Sequence, residues 1–243
     1  MTTTVDVYRP KRAMPKGHDG LSNRFQMTFS CTKNMGMGQE GLSQDIYTTT
    51  WRGTLEYIDD VRSEDDDVWK PSTRRTTVAG KIHCTMIHRG NIVDRGANLQ
   101  GGYGYLLDPV DQELHEVGVL LDLIEEEDEI SHGDCLYVNE VHVVPAFKGL
   151  GLGLFMVDMA DKTINSSMSL LVLQPFPLQF MRRTEADKKW AEEGPSLEDS
   201  TKKLVDYYGL IGRDVHSPHN QTPSLVLRMF HLSPPILDRI YHG

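Results

Sequence analysis

The sequence predicts an α/β fold of the α+β type, in which helices flank a mixed sheet. Three adjoining segments carry this prediction: a strand at 139–144, an apolar segment of helical period at 154–164 and a second strand at 170–173. A strand, a helix and a strand in succession indicate a parallel pair joined by a crossover. Several strands and one helix precede this unit, and a further helix and a final strand at 224–232 follow it. This order suits a mixed sheet with a central parallel pair.

Three strands are predicted ahead of the parallel pair. Apolar and polar residues alternate over 25–31, and the β-rich segments 48–58 and 78–88 each place apolar residues on one face. Such alternation indicates strands with one face on the core. Residues 1–20 are polar and contain prolines and a basic cluster, so we expect a flexible N-terminal arm. A single domain over 21–243 is expected to follow it.

Two helices outside the central unit have recognisable starts. Asp108 as N-cap and Pro109 at the first helical position open one helix. Its apolar stripe comprises Val110, Leu114, Val117, Leu120, Leu121 and Ile124. Ser196 and Asp199 are spaced as a capping box at the start of the other. The polar segment 181–194 before it is expected to be a mobile flap or a helical insertion.

Composition narrows the class of partner. The formal net charge of −10 argues against nucleic acid, because phosphate backbones select basic surfaces. An acidic surface favours a cationic substrate such as an amine, although the charge could equally serve solubility alone. No apolar run approaches the roughly 20 residues of a membrane helix, so no membrane partner is expected. Three widely spaced cysteines fit reduced thiols in the cytoplasm, and without C-x-x-C or H-E-x-x-H no metal site is expected.

A glycine-rich turn joins the first parallel strand to the helix. The turn comprises Lys148, Gly149, Leu150, Gly151, Leu152 and Gly153. N–H groups at a helix start have no partner within the helix, and the helix dipole favours negative charge there. Glycines let a phosphate approach the backbone. The turn lacks the Gly-Lys-Ser/Thr of a P-loop and the third glycine of a dinucleotide fold, so the predicted phosphate-bearing cofactor belongs to another class.

The pattern Lys148-x-x-Gly151-x-Gly153 resembles the pyrophosphate loop of the GNAT superfamily of N-acetyltransferases, usually written Arg/Gln-x-x-Gly-x-Gly/Ala. The preceding Pro145-Ala146-Phe147 fits the same family. Lysine at the first position keeps a charge for phosphate but loses the bidentate fork of arginine. The resemblance is specific over about 135–232 and general over 25–130. It implies a mostly antiparallel GNAT-like sheet whose central parallel strands splay apart, with acetyl-coenzyme A (acetyl-CoA) as co-substrate.

The resemblance also assigns roles to residues. It implies that the backbone of 148–153 holds the diphosphate, and that Val141, His142 and Val143 on the strand edge hold the pantetheine arm. Glu140 is the first candidate for the general base or amine anchor. His142, two residues along on the same face, is the alternative base. Glu140 could instead be a solvated or paired carboxylate, and His142 a core histidine.

A tyrosine is expected to protonate the departing thiolate. Family members often carry it in a pattern like Tyr-x-x-x-Gly-Phe, which places Tyr208 at the donor position here. Arg213 stands where the family has Phe, and Tyr207 would be the donor if the pattern slipped by one residue. Both tyrosines could instead pack on the core.

The resemblance implies an N-acetyltransferase whose acceptor is a primary amine on a small molecule, a polyamine or a protein. A non-catalytic CoA-binding or protein-interaction module on the same fold is the alternative, and a longer-chain acyltransferase differs only in its acyl pocket. The long polar segments 33–47, 59–77 and 175–195 are expected to surround the acceptor, with 181–195 shaping or covering its site. An exposed sheet edge would allow a homodimer.

Overall fold

The computed structural model of the protein describes part of the chain. The described residues are 2–8, 24–32, 48–61, 73–90, 117–118, 121–122, 133–164, 170–181, 184–211 and 225–227. Within these ranges the protein combines one mixed sheet with helices, as the α+β prediction requires. No described helix is long and apolar enough to cross a membrane.

The described strands form a seven-stranded sheet whose spatial order follows the chain. They are β1 (Thr2–Tyr8), β2 (Arg24–Thr32), β3 (Thr48–Val61), β4 (Thr73–Ile87), β5 (Cys135–Val143), β6 (Leu170–Leu173) and β7 (Leu225–Leu227). Neighbouring strands are antiparallel except β5 and β6, which are parallel. The predicted mixed sheet with a parallel pair is therefore confirmed.

Three helices of two turns or more lie in the described ranges: α1 (Leu152–Ile164), α2 (Glu185–Glu193) and α3 (Leu197–Tyr208). The predicted helical insertion within 181–194 is confirmed by α2, which Thr184 caps. Ser196 caps α3 as predicted, accepting a hydrogen bond from the Asp199 N–H. Of the predicted helix that begins at Pro109, the described residues 117–118 and 121–122 are helical, and Val117 and Leu121 are buried.

The N-terminal segment corrects one expectation. Instead of a flexible arm, Thr2–Tyr8 forms β1 and pairs antiparallel with β2, from Thr2 opposite Ser30 to Tyr8 opposite Phe25. This segment is rich in threonine and valine, and its β propensity outweighs its polarity because β2 offers an edge to pair with. The rest of the predicted arm, 9–20, lies outside the described residues.

The core lies between one face of the sheet and α1. Apolar residues at a period of two on the strands meet the buried face of α1, as the alternation predicts. Large members of this cluster include Phe25, Met27, Phe29, Leu55, Tyr57, Phe147, Phe155 and Met156. Gly80 on β4 allows α1 to approach, since a Cβ atom there would lie 2.8 Å from Met156 Cε and 2.9 Å from the His142 carbonyl oxygen.

A β-bulge interrupts the pairing of β4 with β5. Cys84 lies opposite Val138 and His83 lies opposite Glu140, so Asn139 is an extra residue without a partner in the ladder. The Thr85 hydroxyl donates to Asn139 Oδ1 at 2.9 Å and holds the bulge from the neighbouring strand.

The bulge decides which side chains of β5 face the core. Because successive side chains alternate, one extra residue moves every later side chain to the opposite face. Four β5 residues contact the core cluster, two before the bulge and two after it: Leu136, Val138, Val141 and Val143. Glu140 and His142 therefore lie on the other face of the sheet, which we call the open face.

The burial of the cysteines predicts their reactivity. Cys31 is partly exposed, whereas Cys84 and Cys135 are buried. Burial raises the pKa of the Cys135 thiol to about 12 and raises the pKa of Cys84 as well, so neither forms the reactive thiolate at neutral pH.

We expect a thiol reagent such as Ellman's to label Cys31 in the native protein and all three cysteines in denaturant. A Cys31→Ser variant should then show no native labelling; fast labelling of that variant would contradict the described core.

Candidate functional site

Strand β5 extends beyond the end of β6. Their parallel pairing joins Cys135–Val138 to Leu170–Leu173. β5 then continues to Val143, and no described strand lies beside it on that side. Pro175 follows β6 and has no N–H to donate to a ladder. The last part of β5 is therefore a strand edge within a sheet, which we call the β5 edge (139–143).

Two residues present their peptide groups on the β5 edge. The Val144 N–H donates to the Ala79 carbonyl oxygen on the β4 side at 2.9 Å. Hydrogen-bonding residues alternate along an antiparallel ladder, so the N–H and C=O groups of Val141 and Val143 point away from β4. Those of His142 point toward β4, while its side chain is exposed. Of the three residues expected to hold the pantetheine arm, two thus offer backbone groups to a ligand.

The glycine-rich turn follows β5 directly. One 3₁₀ turn, Pro145–Phe147, leads into it, and α1 begins at Leu152. Gly149 and Gly151 have φ values of 81° and 75°, in the left-handed region that favours glycine. A Cβ atom at either position would meet no atom of the described residues within 4 Å. Both glycines therefore border open space, and it is their backbone conformation that requires glycine.

Several donors of the turn face this space. Among the described residues, the N–H groups of Leu150, Gly151 and Leu152 have no hydrogen-bond partner, and the first helical bond runs from the Phe155 N–H to the Gly151 carbonyl oxygen at 3.1 Å. The exposed Lys148 side chain forms no ion pair within the described part of the chain. The first turn of α1 carries no acidic residue that would repel an anion. The turn can therefore receive an anion through backbone donors and one cation.

Phe147 fixes the turn to the sheet. Its side chain is 2% exposed and packs between Phe25 and Tyr57, with ring centroids 6.0 and 5.6 Å away. Aromatic burial on this scale is worth several kcal/mol on removal, about 3–5 for Phe→Ala. The glycines that follow are consequently held at a fixed position relative to the end of β5.

Tyr207 on α3 reaches the start of α1. Its hydroxyl accepts a hydrogen bond from the Leu154 N–H at 3.2 Å. Gly153 permits this approach, because a Cβ atom there would lie 3.1 Å from the Tyr207 hydroxyl oxygen. Burial raises the pKa of Tyr207, and the N–H groups of Leu154 and Gly153 offset part of that rise. The hydroxyl therefore stays protonated at neutral pH, and since it accepts from the helix, its own proton remains to be donated.

Tyr208, the tyrosine predicted as proton donor, lies in the core. It is 9% exposed and belongs to the buried cluster, with its ring 5.0 Å from that of Tyr207 in an edge-on arrangement. Burial raises its pKa above the ordinary tyrosine value. If the sequence pattern slips by one residue, Tyr207 takes the donor position, and Tyr207 is the tyrosine whose hydroxyl reaches the turn.

Glu140 belongs to a polar row across the open face. The strand registers place Ser30, Arg52, His83 and Glu140 opposite one another on β2, β3, β4 and β5. Burial lowers the pKa of His83 and Arg52 lowers it further, while Glu140 acts in the opposite sense. His83 is therefore neutral at neutral pH, and its buried Nε2 has no hydrogen-bond partner among the described residues. The sequence analysis did not identify His83, although its alternation with Ile82 and Cys84 places it on the polar face.

A second polar cluster lies at the opposite end of the sheet. His88 Nε2 is 2.9 Å from the Thr49 hydroxyl oxygen, and His88 Nδ1 is 3.0 Å from Asp134 Oδ2. The chain of groups resembles the hydroxyl–imidazole–carboxylate series of hydrolases. Thr49, however, is only 6% exposed, which denies a substrate access to its oxygen. We assign the cluster a structural role, tying together the start of β3, the end of β4 and the start of β5.

The turn, the β5 edge and the Tyr207 hydroxyl surround the C-terminal end of β5, and Glu140 and His83 lie on the open face beside it. Comparisons with models of known protein families, with curated proteins and with solved structures find no match to this chain. The interpretation of the site consequently depends on the geometry of these residues.

Replacing His88 by alanine tests the structural role of the second cluster. The variant leaves the buried Thr49 hydroxyl without its partner, so we expect the free energy of unfolding to fall by about 1–3 kcal/mol. Urea denaturation followed by circular dichroism measures the change. His142→Ala is the matched control, since this exposed histidine should change stability by less than about 0.5 kcal/mol. Equal effects of the two substitutions would contradict the assignment.

Proposed function

We propose that the protein is an N-acetyltransferase that moves the acetyl group of acetyl-CoA directly to a primary amine. One observation carries the proposal: the glycine-rich turn begins where the β5 edge ends, and the N–H groups of Leu150, Gly151 and Leu152 in it have no partner among the described residues. An anion site in line with an unpaired strand edge suits a ligand that has a diphosphate joined to an extended, amide-bearing arm. Coenzyme A has this chemistry.

The proposed cofactor contacts follow from the directions of the peptide groups. The N–H groups of Leu150, Gly151 and Leu152 would hold the diphosphate, and Lys148 would add a charge. Val141 and Val143 would bond the amides of the pantetheine arm as a neighbouring strand does. The parting of β5 from β6 after Val138 supports a GNAT-like fold, in which the arm enters between splayed parallel strands.

The proposed reaction needs a base for the amine and an acid for the thiolate. Glu140 and His83 lie opposite each other beside the β5 edge, and neutral His83 can accept the proton that the amine must lose. The amine nitrogen then attacks the thioester carbonyl carbon, and the carbon–sulfur bond breaks as the carbon–nitrogen bond is completed. Tyr207 is the proposed proton donor to the departing thiolate, because its hydroxyl proton is not used by α1. Tyr208 has no such access.

A pair of substitutions at Gly151 tests the cofactor site. Asp and Asn have the same shape and both tolerate a left-handed backbone, so strain should affect them alike. Asp adds a negative charge where the diphosphate would lie. We expect calorimetry to show acetyl-CoA binding by the unmodified protein, weaker binding by Gly151→Asn and a further loss of about tenfold or more in Gly151→Asp. Equal affinities of the two variants would contradict phosphate binding at this turn, and no binding by the unmodified protein would overturn the proposed function.

Paired tyrosine substitutions test the proton donor. Tyr207→Phe should lower kcat by about 100-fold while leaving acetyl-CoA affinity nearly unchanged, since general acid catalysis acts on the chemical step. Tyr208→Phe, which alters a buried hydroxyl, is the control and should retain most of the turnover. Thiol release from acetyl-CoA measures both variants. Loss of turnover in Tyr208→Phe alone would return the role to Tyr208, and normal turnover in both would exclude a tyrosine acid.

A further inference from the structure

The acceptor can reach the β5 edge from one face of the sheet. On the core face, the Val141 and Val143 side chains pack against the buried cluster that includes α1. The opposite, open face presents the side chains of Glu140 and His142 beside the same edge. If the thioester lies along this edge, as the proposed function requires, the amine must approach it across the open face.

That face carries positive charge near the β5 edge. Arg52 on β3 is directly opposite His83, in the row that ends at Glu140. Lys81 on β4 lies in the adjoining row, opposite His142. Both are exposed, and neither forms an ion pair within the described part of the chain. The net charge of the protein is −10, so acidic residues are abundant, yet no described carboxylate pairs with either cation.

The two cations also lie close together. In an antiparallel pair, residues related by a diagonal step are about 7–8 Å apart, within reach of long side chains. Arg52 and Lys81 have this relation, because Arg52 is opposite His83 and Lys81 is two residues away on the same face. Like charges at this spacing repel each other, and an anion placed between them removes the repulsion. The positive charge of Arg52 also acts on its neighbour in the row, since it helps to lower the pKa of His83.

From this arrangement we propose that the acceptor is an amine that also carries a carboxylate, of the free amino acid class, and that Arg52 and Lys81 bind its carboxylate. The inference rests on the proposed function and names its substrate class. Arg52 and Glu140 are two strands apart, about 10 Å between backbones. Both lie on the same face of the sheet as His83, which stands between them, so an amine and a carboxylate a few bonds apart can meet both ends of the row.

In this assignment the two ends of the row bind different groups of the acceptor. The acceptor ammonium loses one proton to Glu140 or His83, and its nitrogen forms a bond to the acetyl carbon while the carbon–sulfur bond breaks. The sulfur receives a proton from Tyr207, the nitrogen releases its second proton to solvent, from which the Tyr207 hydroxyl is restored, and the products are an N-acetylated amino acid and coenzyme A. The carboxylate keeps its charge throughout and is held by Arg52 and Lys81. A polyamine has no anionic group for these residues and places positive charge beside them. Arg52 and Lys81 thus favour a substrate that carries an anionic group, which the net charge of the chain does not indicate.

Matched acids and amides test the substrate class. Thiol release from acetyl-CoA would be measured with the twenty common amino acids, with the carboxamide of each and with spermidine, which has no carboxylate. We expect at least one amino acid to be used with a kcat/KM about tenfold or more above its carboxamide and above spermidine, as expected for a charge-assisted contact. Arg52→Gln and Lys81→Gln should each reduce this preference by raising KM for the acid, with little change for the amide. Arg75→Gln, at the far end of β4, is the control and should keep the preference.

The outcomes separate this inference from the proposed function. Turnover with carboxamides or spermidine as good as with acids would overturn the carboxylate site and leave the acetyltransferase proposal standing. Acetyl-CoA binding without turnover of any amino acid would also overturn it. Weaker acetyl-CoA binding by Arg52→Gln, with selectivity unchanged, would show that the arginine serves the cofactor instead. A protein that does not bind acetyl-CoA at all would overturn both.

Discussion

The position of a single extra residue, Asn139, determines what the candidate site contains. Side chains on a strand alternate, so without the bulge Val141 and Val143 would leave the core, and Glu140 and His142 would be turned into it. The bulge occurs where β6 stops pairing with β5, so the change of face coincides with the start of the β5 edge. One irregularity therefore keeps the core closed and puts the ionisable groups on the exposed side.

The two ends of the sheet are held in different ways. At the start of β5, the hydrogen bonds of His88 to Thr49 and Asp134 fasten three strands, and the parallel pair is complete. At the end of β5 no described strand pairs with one side of the backbone, and the chain is fastened by an apolar contact, Phe147 against Phe25 and Tyr57. Contacts between buried aromatic side chains require no hydrogen bonds from backbone N–H groups. The turn after it is thereby fixed in position while its N–H groups stay available to a ligand.

Local patterns in the sequence predicted the elements but not the relations between them. Alternation predicted β2, β3 and β4, and the spacing of Ser196 and Asp199 predicted the start of α3, because these signals lie within a few residues. The bulge at Asn139 could not be read in this way, since it depends on which residue of β4 lies opposite. The row from Arg52 to Glu140 and the contacts of His88 join residues far apart in the chain. The choice between Tyr207 and Tyr208 likewise depends on how α3 is rotated against the sheet.

Tyr207 narrows the place where an anion can bind. The start of a helix offers several N–H groups, and an anion could in principle use any of them. The Tyr207 hydroxyl accepts the hydrogen bond of the Leu154 N–H and lies against Gly153. The N–H groups in this part of the first helical turn are therefore not available to an anion. The donors of Leu150, Gly151 and Leu152 remain, and these are the ones nearest the end of β5. An anion bound to these donors lies in line with the β5 edge, whereas an anion bound further into α1 would not. The contact made by Tyr207 therefore links the anion site to the strand on which the proposed chemistry takes place.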